Sequence, residues 1–185
     1  MNSLTVDIIE ACKKNNRKAQ LQVYNRYCNG MYSVAMRFVN HSAEAEDIVQ
    51  EAFIKAFTKL HQFSGEVSFG AWLKRIVINT CLDVLKTKKE QLQALEESHL
   101  KVVDNSYEEP WLADDSVTAE KVKQTINRLP DKYKVVLILY LIEGYDHEEI
   151  AEILGISEVA SRTQLSRGKA KLLHLLKNEK HGTGY

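Results

Sequence analysis

The sequence predicts an all-α fold: two small helical domains joined by an acidic, flexible linker, with a helix-turn-helix in the second domain. Three observations carry this. Breakers are scarce, with only 2 Pro and 8 Gly in 185 residues, as long helices require. Apolar residues recur at helical spacing, and no stretch alternates with the period of a strand. Charge is unevenly spread. Residues 1–90 carry 13 basic and 9 acidic side chains, residues 91–120 carry 1 and 8, and residues 121–185 carry 11 and 8. Two mildly basic blocks thus flank an acidic connector, although the chain as a whole has 25 of each sign. The domains are expected at 1–90 and 119–185, with the linker at 91–118.

The first block reads as four helices, over about 4–14, 17–40, 42–60 and 68–89. Ser42 is expected to cap the third, ahead of acidic residues that suit the positive end of a helix. Residues 61–67 form a loop with Gly65 at its centre. Helical periodicity fades around Pro110, where Asp104, Glu108, Glu109, Asp114 and Asp115 cluster. Trp111 stands out there, and either docks on a domain or touches a partner. The second block reads as helices over about 117–128, 131–143, 147–154 and 158–178. Pro130 starts the second of these. Asp146 and Glu149 have the spacing of a capping box for the third. Gly155-Ile156-Ser157 is a tight turn, and Ser157 caps the last helix.

Several function classes are excluded on this reading. Apolar residues at 44% and charged residues at 27% lie in the soluble globular range. The best apolar run, 135–142, is far short of the roughly 20 residues of a membrane span, so no membrane contact of its own is expected. Residues 1–30 lack the order of a secretory signal, and a cytoplasmic location is expected. Cys12, Cys28 and Cys81 form no Cys-x-x-Cys pair, and the six histidines form no His-x-x-x-His pair. There is no Gly-rich phosphate loop. No enzyme, metal or cofactor is expected. Cys81, in an apolar helix, reads as a buried thiol. His147, beside the capping Asp146, suits a capping or phosphate-binding role.

The segment 146–176 carries the clearest pattern. A short helix, a Gly-Ile-Ser turn and a longer basic helix have helix-turn-helix spacing, in which the second helix enters the major groove. Gly155 suits a left-handed turn position, and Ile156 plugs the space between the helices. At about 100° per residue, Ser161, Leu165, Gly168, Leu172, Leu175 and Leu176 share an inward face. Val159, Thr163, Ser166, Arg167 and Ala170 lie opposite, flanked by Arg162, Gln164, Lys169 and Lys171. Arginine pairs bidentately with guanine, Thr and Ser read edges or methyls, and the lysines suit phosphates. The plain alternative is a helical hairpin with a solvated basic face.

In the third helix, Ala45, Ile48, Val49, Ala52, Phe53, Ala56 and Leu60 form an apolar stripe. Asp47, Gln50 and Glu51 lie together on the other face at i, i+3, i+4 spacing, with Ile54 in their midst. An isoleucine inside a charged rim is the pattern of a protein interface. It also fits a solvated face with one stray apolar residue. The fourth helix is apolar nearly all round, apart from a stripe of Trp72, Arg75, Asn79 and Lys86. Such a set either stacks and holds single-stranded nucleic acid, or is a core Trp beside surface charge.

Taken together, these segments resemble a known family. Ala45-Glu46-Asp47-Ile48-Val49-Gln50-Glu51-Ala52-Phe53 resembles the core-polymerase-binding helix of bacterial RNA polymerase sigma factors. Phe63-Ser64-Gly65, followed by Phe69-Gly70-Ala71-Trp72-Leu73-Lys74-Arg75-Ile76-Val77-Ile78-Asn79, resembles their promoter-melting region. Leu129-Pro130-Asp131-Lys132-Tyr133, Glu143-Gly144-Tyr145-Asp146-His147-Glu148-Glu149-Ile150-Ala151 and the helix-turn-helix resemble their fourth region. Order, spacing and length are similar to the small extracytoplasmic function (ECF) subgroup. The resemblance implies that Asp47, Gln50 and Glu51, with Ile54, contact the clamp helices of the polymerase large subunit. It implies that Trp72, Arg75, Asn79 and Lys86 face the minus-ten element, with Phe63 and Asn79 lining a pocket for a flipped base. It implies that Arg162, Thr163, Ser166 and Arg167 read the minus-thirty-five element, while Lys169 and Lys171 hold its backbone. The implied partners are core RNA polymerase, promoter DNA and an anti-sigma factor. The chain departs from the family at Val159-Ala160-Ser161, where Gly-Thr-Val is frequent, and at Gln164 and Lys86, where arginine is frequent. Two other classes remain: a stand-alone helix-turn-helix regulator, which would not need the Asp47 patch or Trp72 and Asn79, and a protein-binding adaptor, which would not need the basic face.

Overall fold

The computed structural model describes residues 3–95 and 118–181. Every regular element among them is helical, and the chain divides into two compact units, the first ending at Leu95. The acidic stretch from Glu96 to Asp115, with Trp111, lies outside the described residues.

The first unit comprises α1 (Ser3–Lys13), α2 (Arg17–Val39), α3 (Ser42–Thr58) and α4 (Phe69–Leu95). Asn16 starts α2, its side chain accepting from the amides of Lys18 and Ala19 at 3.0 and 3.2 Å. Asn40 ends it in the left-handed conformation, at φ 54°. The helices α2, α3 and α4 pack pairwise on one another, with α1 against α2. Ala45, Ala52 and Ala56 are fully buried on α3 and let the neighbouring helices approach closely, while Phe53 fills the gap towards Tyr24 at 4.8 Å. On α4, Leu73, Val77, Ile78 and Cys81 are fully buried, as its apolar composition predicts. Burial of this kind drives the packing at about 25 cal/mol per Å² of apolar surface.

Three expectations need correction here. The N-cap of α3 is His41, whose carbonyl accepts from Ala45, and Ser42 does not cap the helix. The Ser42 hydroxyl is engaged instead by the Tyr32 hydroxyl at 3.2 Å and by Glu46 at 3.4 Å. The third helix ends at Thr58, and a single tight turn, Leu60–Gln62, follows, so that Leu60 is buried off the helix axis. Finally, α4 continues to Leu95 rather than stopping at 89. Its start is set by Ser68, whose hydroxyl accepts from the Ala71 amide at 3.2 Å.

The second unit comprises α5 (Ala119–Ile126), α6 (Asp131–Leu137), α7 (His147–Leu154) and α8 (Glu158–His181). Thr118 caps α5, accepting from Lys121 at 3.2 Å. The helix expected over 131–143 changes character at Ile138: residues Ile138–Ile142 form a π-helical turn, closed by the Glu143 amide on the Ile138 carbonyl at 3.0 Å. Gly144, at φ +79°, then reverses the chain. The widened turn leaves Tyr140 and Leu141 exposed, although Val136 to Leu139 are buried. Such π-turns frequently mark functional sites.

Helix α8 lies against α5, α6 and α7. Leu165, Leu172 and Leu176 are buried on its inner face, as expected. At Gly168, α8 approaches α6 closely. A Cβ at that position would stand 3.2 Å from Leu137 Cδ1 and 3.3 Å from Tyr133 Cβ. Gly168→Leu is therefore expected to lower the stability of the second unit by about 1–3 kcal/mol through overpacking, read as a lower denaturant midpoint with an unchanged slope.

Candidate protein and nucleic-acid interfaces

The α3 stripe that packs inward leaves its opposite face to solvent. Asp47, Gln50 and Glu51 are exposed there, and Ile54 is 68% exposed among them. The patch is thus as the helical spacing predicts: one apolar side chain within a polar rim. Beside it, Tyr24, Cys28, Tyr32, Glu46, Val49 and Gln50 line an open groove of about 480 Å³ between α2 and α3.

The patch is also tied to α4. Lys55 pairs with Glu51 at 2.8 Å, lies 3.7 Å from Asp83, and reaches the buried Thr80 hydroxyl at 3.4 Å. Lys88 of α4 pairs with Glu44 of α3. Sequence reasoning missed Lys55, although its i+4 spacing from Glu51 is a readable sign of an ion pair. Glu51, Asp83 and Lys88 are exposed while Lys55 and Glu44 are partly buried, and the pairs tie α3 to α4 and orient their carboxylates.

Phe63 and Trp72, both expected at a DNA surface, are in contact, with ring centroids 5.4 Å apart. The buried ring of Phe69 orients both, 5.6 Å from each. Tyr27 packs edge-on against Phe69, where Gly70 leaves it room: a Cβ there would come within 3.1 Å of Tyr27. Trp72 and Phe63 are both half-buried. Phe69 is the residue the sequence reading left out. Arg75, Asn79 and Lys86 follow Trp72 along the same stripe of α4, with Asn79 and Lys86 exposed. Asn79 lies two helical turns, about 10 Å, beyond Trp72.

In the second unit, the Asp146–Glu149 capping box is formed in both directions, at 2.8 and 2.9 Å. Gly155 adopts the left-handed conformation at φ 63°, and Ser157 accepts from the Ala160 amide at 3.1 Å. The turn geometry thus places α8 as the second helix of a helix-turn-helix. Arg162, Thr163 and Ser166 are exposed on its outer face, and Arg167 is half-buried beside them. Arg162 is paired with Glu158 at 3.2 Å, an i, i+4 contact not anticipated. Lys169 reaches over the ring of Tyr140, and Lys171 over that of Tyr133, each at 5.6 Å from the centroid. In both cases it is the ammonium group that lies over the ring, a cation–π arrangement.

Asp146 and not His147 caps α7, and His147 makes a structural contact. Its Nδ1 lies 2.9 Å from the hydroxyl of Ser161, which is fully buried, and its ring stacks on Tyr140 at 4.9 Å. It latches α7 and the π-turn onto α8. A buried serine on the inward face was legible in the sequence; its partner was not. Burial lowers the pKa of His147 below the usual value, Arg162 and Lys169 act in the same direction, and Glu158 and Asp146 oppose them. The folded state thus favours the neutral ring. Its stabilising contribution is complete above the unfolded value, near 6.5, and declines as pH falls below it. Between pH 7.5 and 5.5 the wild-type second unit is expected to lose more stability than a His147→Gln variant, measured by urea unfolding at each pH.

Among the described residues, no group of three His, Cys, Asp or Glu side chains is placed to hold a metal, and no helix is long and apolar enough to cross a membrane. All three cysteines are unbridged. Cys81 is buried, and burial raises the thiol pKa of Cys12.

Comparison with known proteins accounts for both units. Residues 23–91 match the family model of sigma-70 region 2, and residues 119–172 that of sigma-70 region 4. The chain is 30% identical over 178 residues to the ECF RNA polymerase sigma factor SigW of Bacillus subtilis, covering 92% of this chain and 95% of that protein. It is 30% identical to the ECF RNA polymerase sigma-E factor of Haemophilus influenzae, covering 88% and 89%. Its fold is similar to the sigma factor RpoE of Bartonella quintana, solved in complex with the anti-sigma factor NepR, at a TM-score of 0.58 and 22% identity, covering 84% of this chain and 95% of that one. With the helix-turn-helix and the exposed α3 face in place, the chain belongs to the ECF group of the sigma-70 family, and it is a sigma factor that directs RNA polymerase to specific promoters.

Proposed function

We propose that the work of this sigma factor is divided among three surfaces. Asp47, Gln50, Glu51 and Ile54 dock α3 on core polymerase. Phe63, Trp72, Arg75, Asn79 and Lys86 take the non-template strand of the minus-ten element and help to melt it. Arg162, Thr163, Ser166 and Arg167 read the minus-thirty-five element, with Lys169 and Lys171 on its phosphates. On this reading the domains carry these roles as 1–90 and 119–185, joined by the segment 91–118. The observation that carries the reading is the exposure of Ile54 at 68% within an acidic and amide rim, on a helix whose other face is wholly core. A protein interface explains such a residue better than solvent does.

The melting role follows from stacking. A base leaves the duplex only if something receives it. The half-buried Phe63–Trp72 pair offers aromatic surface for a base, and Arg75 and Lys86 offer positive charge. Asn79→Ala is expected to reduce open-complex formation on duplex promoters. It should matter less on templates mismatched at the minus-ten element, where the unpairing cost is already met. Permanganate footprinting on both templates tests this; equal loss on both would limit Asn79 to base readout.

The chain acts in the cytoplasm, as a regulator without catalytic activity of its own. The Bartonella relative is bound by an anti-sigma factor. An inhibitor of that kind would hold this chain by covering the α3 patch or the α8 face.

A further inference from the structure

Val159 is 72% exposed, more than any other large apolar side chain among the described residues. It is the second residue of α8, in the N-terminal turn from which a recognition helix reaches base edges. Helical spacing sets it beside Arg162, Thr163 and Ser166 on the outer face. The Thr163 hydroxyl donates to the Val159 carbonyl at 2.8 Å. With that hydrogen committed to the backbone, Thr163 adds a methyl group and oxygen lone pairs to the same surface. An isopropyl group held in water here gains only if a partner covers it. Among the base edges in the major groove, thymine alone presents an apolar group, its C5 methyl.

We propose that Val159 contacts the C5 methyl of one thymine in the minus-thirty-five element and so selects thymine at that position. The proposal rests on the reading of α8 as the recognition helix. It adds a specificity determinant at a position where the chain departs from its family.

The test uses the full chain assembled with core polymerase. The preferred upstream element is first selected from a randomised duplex library. Each thymine in it is then replaced, one at a time, by deoxyuridine, which removes the methyl and nothing else. At one position the wild-type complex should bind about fourfold more weakly, the factor that burying one methyl group confers. Val159→Ala should abolish that penalty. Val159 is exposed, so the variant keeps the fold. A penalty that persists in Val159→Ala, or a selected element in which no thymine is sensitive, overturns the proposal and leaves a protein partner to cover Val159. Failure of the underlying reading looks different. Arg162→Ala and Arg167→Ala would then select the same element with wild-type affinity, and both the reading and the proposal fall. If the arginine variants relax the element while Val159→Ala changes nothing, only the proposal falls.

Discussion

Reversal of charge at Asp47 and Glu51 is expected to weaken binding to core polymerase by about a hundredfold or more. On the proposed docking, each reversal replaces an attraction with a like-charge contact, worth several kcal/mol across a docked interface, and about 1.4 kcal/mol is a factor of ten. The fold should tolerate the change. Both side chains are exposed, and the packed stripe from Ala45 to Ala56 is untouched. Among the described residues the intramolecular loss is the Glu51–Lys55 pair, a partly exposed i, i+4 contact worth about 0.3–0.5 kcal/mol. Helicity should stay at the wild-type level, and the melting temperature should shift by about 5 °C at most. Affinity measured by titration with labelled core polymerase, beside a thermal melt, separates the two effects. Wild-type affinity in the double variant would remove α3 from the interface.

The second large effect lies in α8. Arg162→Ala or Arg167→Ala should each cost about 1–3 kcal/mol on a matched minus-thirty-five element and relax preference at one base position. Lys171→Ala should instead weaken matched and scrambled duplexes alike and reduce the salt slope by about one unit. Arg162 carries a further expectation. In the free chain Arg162 is paired with Glu158, and that carboxylate competes with a base for the guanidinium. Glu158→Gln should therefore strengthen DNA binding, both by freeing Arg162 and by removing a negative charge near the phosphates. Salt titrations of holoenzyme binding on matched and scrambled duplexes resolve these cases. An arginine variant that loses affinity equally on both would be a backbone contact only.

Features that depend on neighbours in the chain were legible in the sequence. The Asp146–Glu149 box, the left-handed Gly155 and the Ser157 cap are local chemistry, and all three are formed. The inward stripe of α3 from Ala45 to Ala56 follows from period alone, and every residue in it is buried. Features that depend on a partner brought from elsewhere were not. Ser42 had the residue type and place of a cap, but Tyr32 of α2 claims its hydroxyl. The π-turn at Ile138 has no compositional mark, because Ile, Leu and Tyr suit an α-helix as well. It is nevertheless what brings Tyr140 onto His147 and under Lys169.

The candidate surfaces divide in the same way. Exposure of Asp47, Gln50, Glu51 and Ile54, and of Arg162, Thr163 and Ser166, follows from helical phase. The pairing of Phe63 with Trp72 through Phe69 needed a loop to fold back on α4, which no periodicity encodes. Lys55 shows both sides. Its link to Glu51 is readable from spacing, whereas its reach to Thr80 and Asp83 depends on how α4 crosses α3.

The most direct test of the account is run-off transcription with purified core polymerase on a library of bacterial promoters. The account predicts discrete transcripts from a subset of promoters only when the chain is added, and their loss with the Asp47 and Glu51 double reversal. Tight core binding with no promoter-dependent transcript, or transcripts that survive the double reversal unchanged, would contradict it.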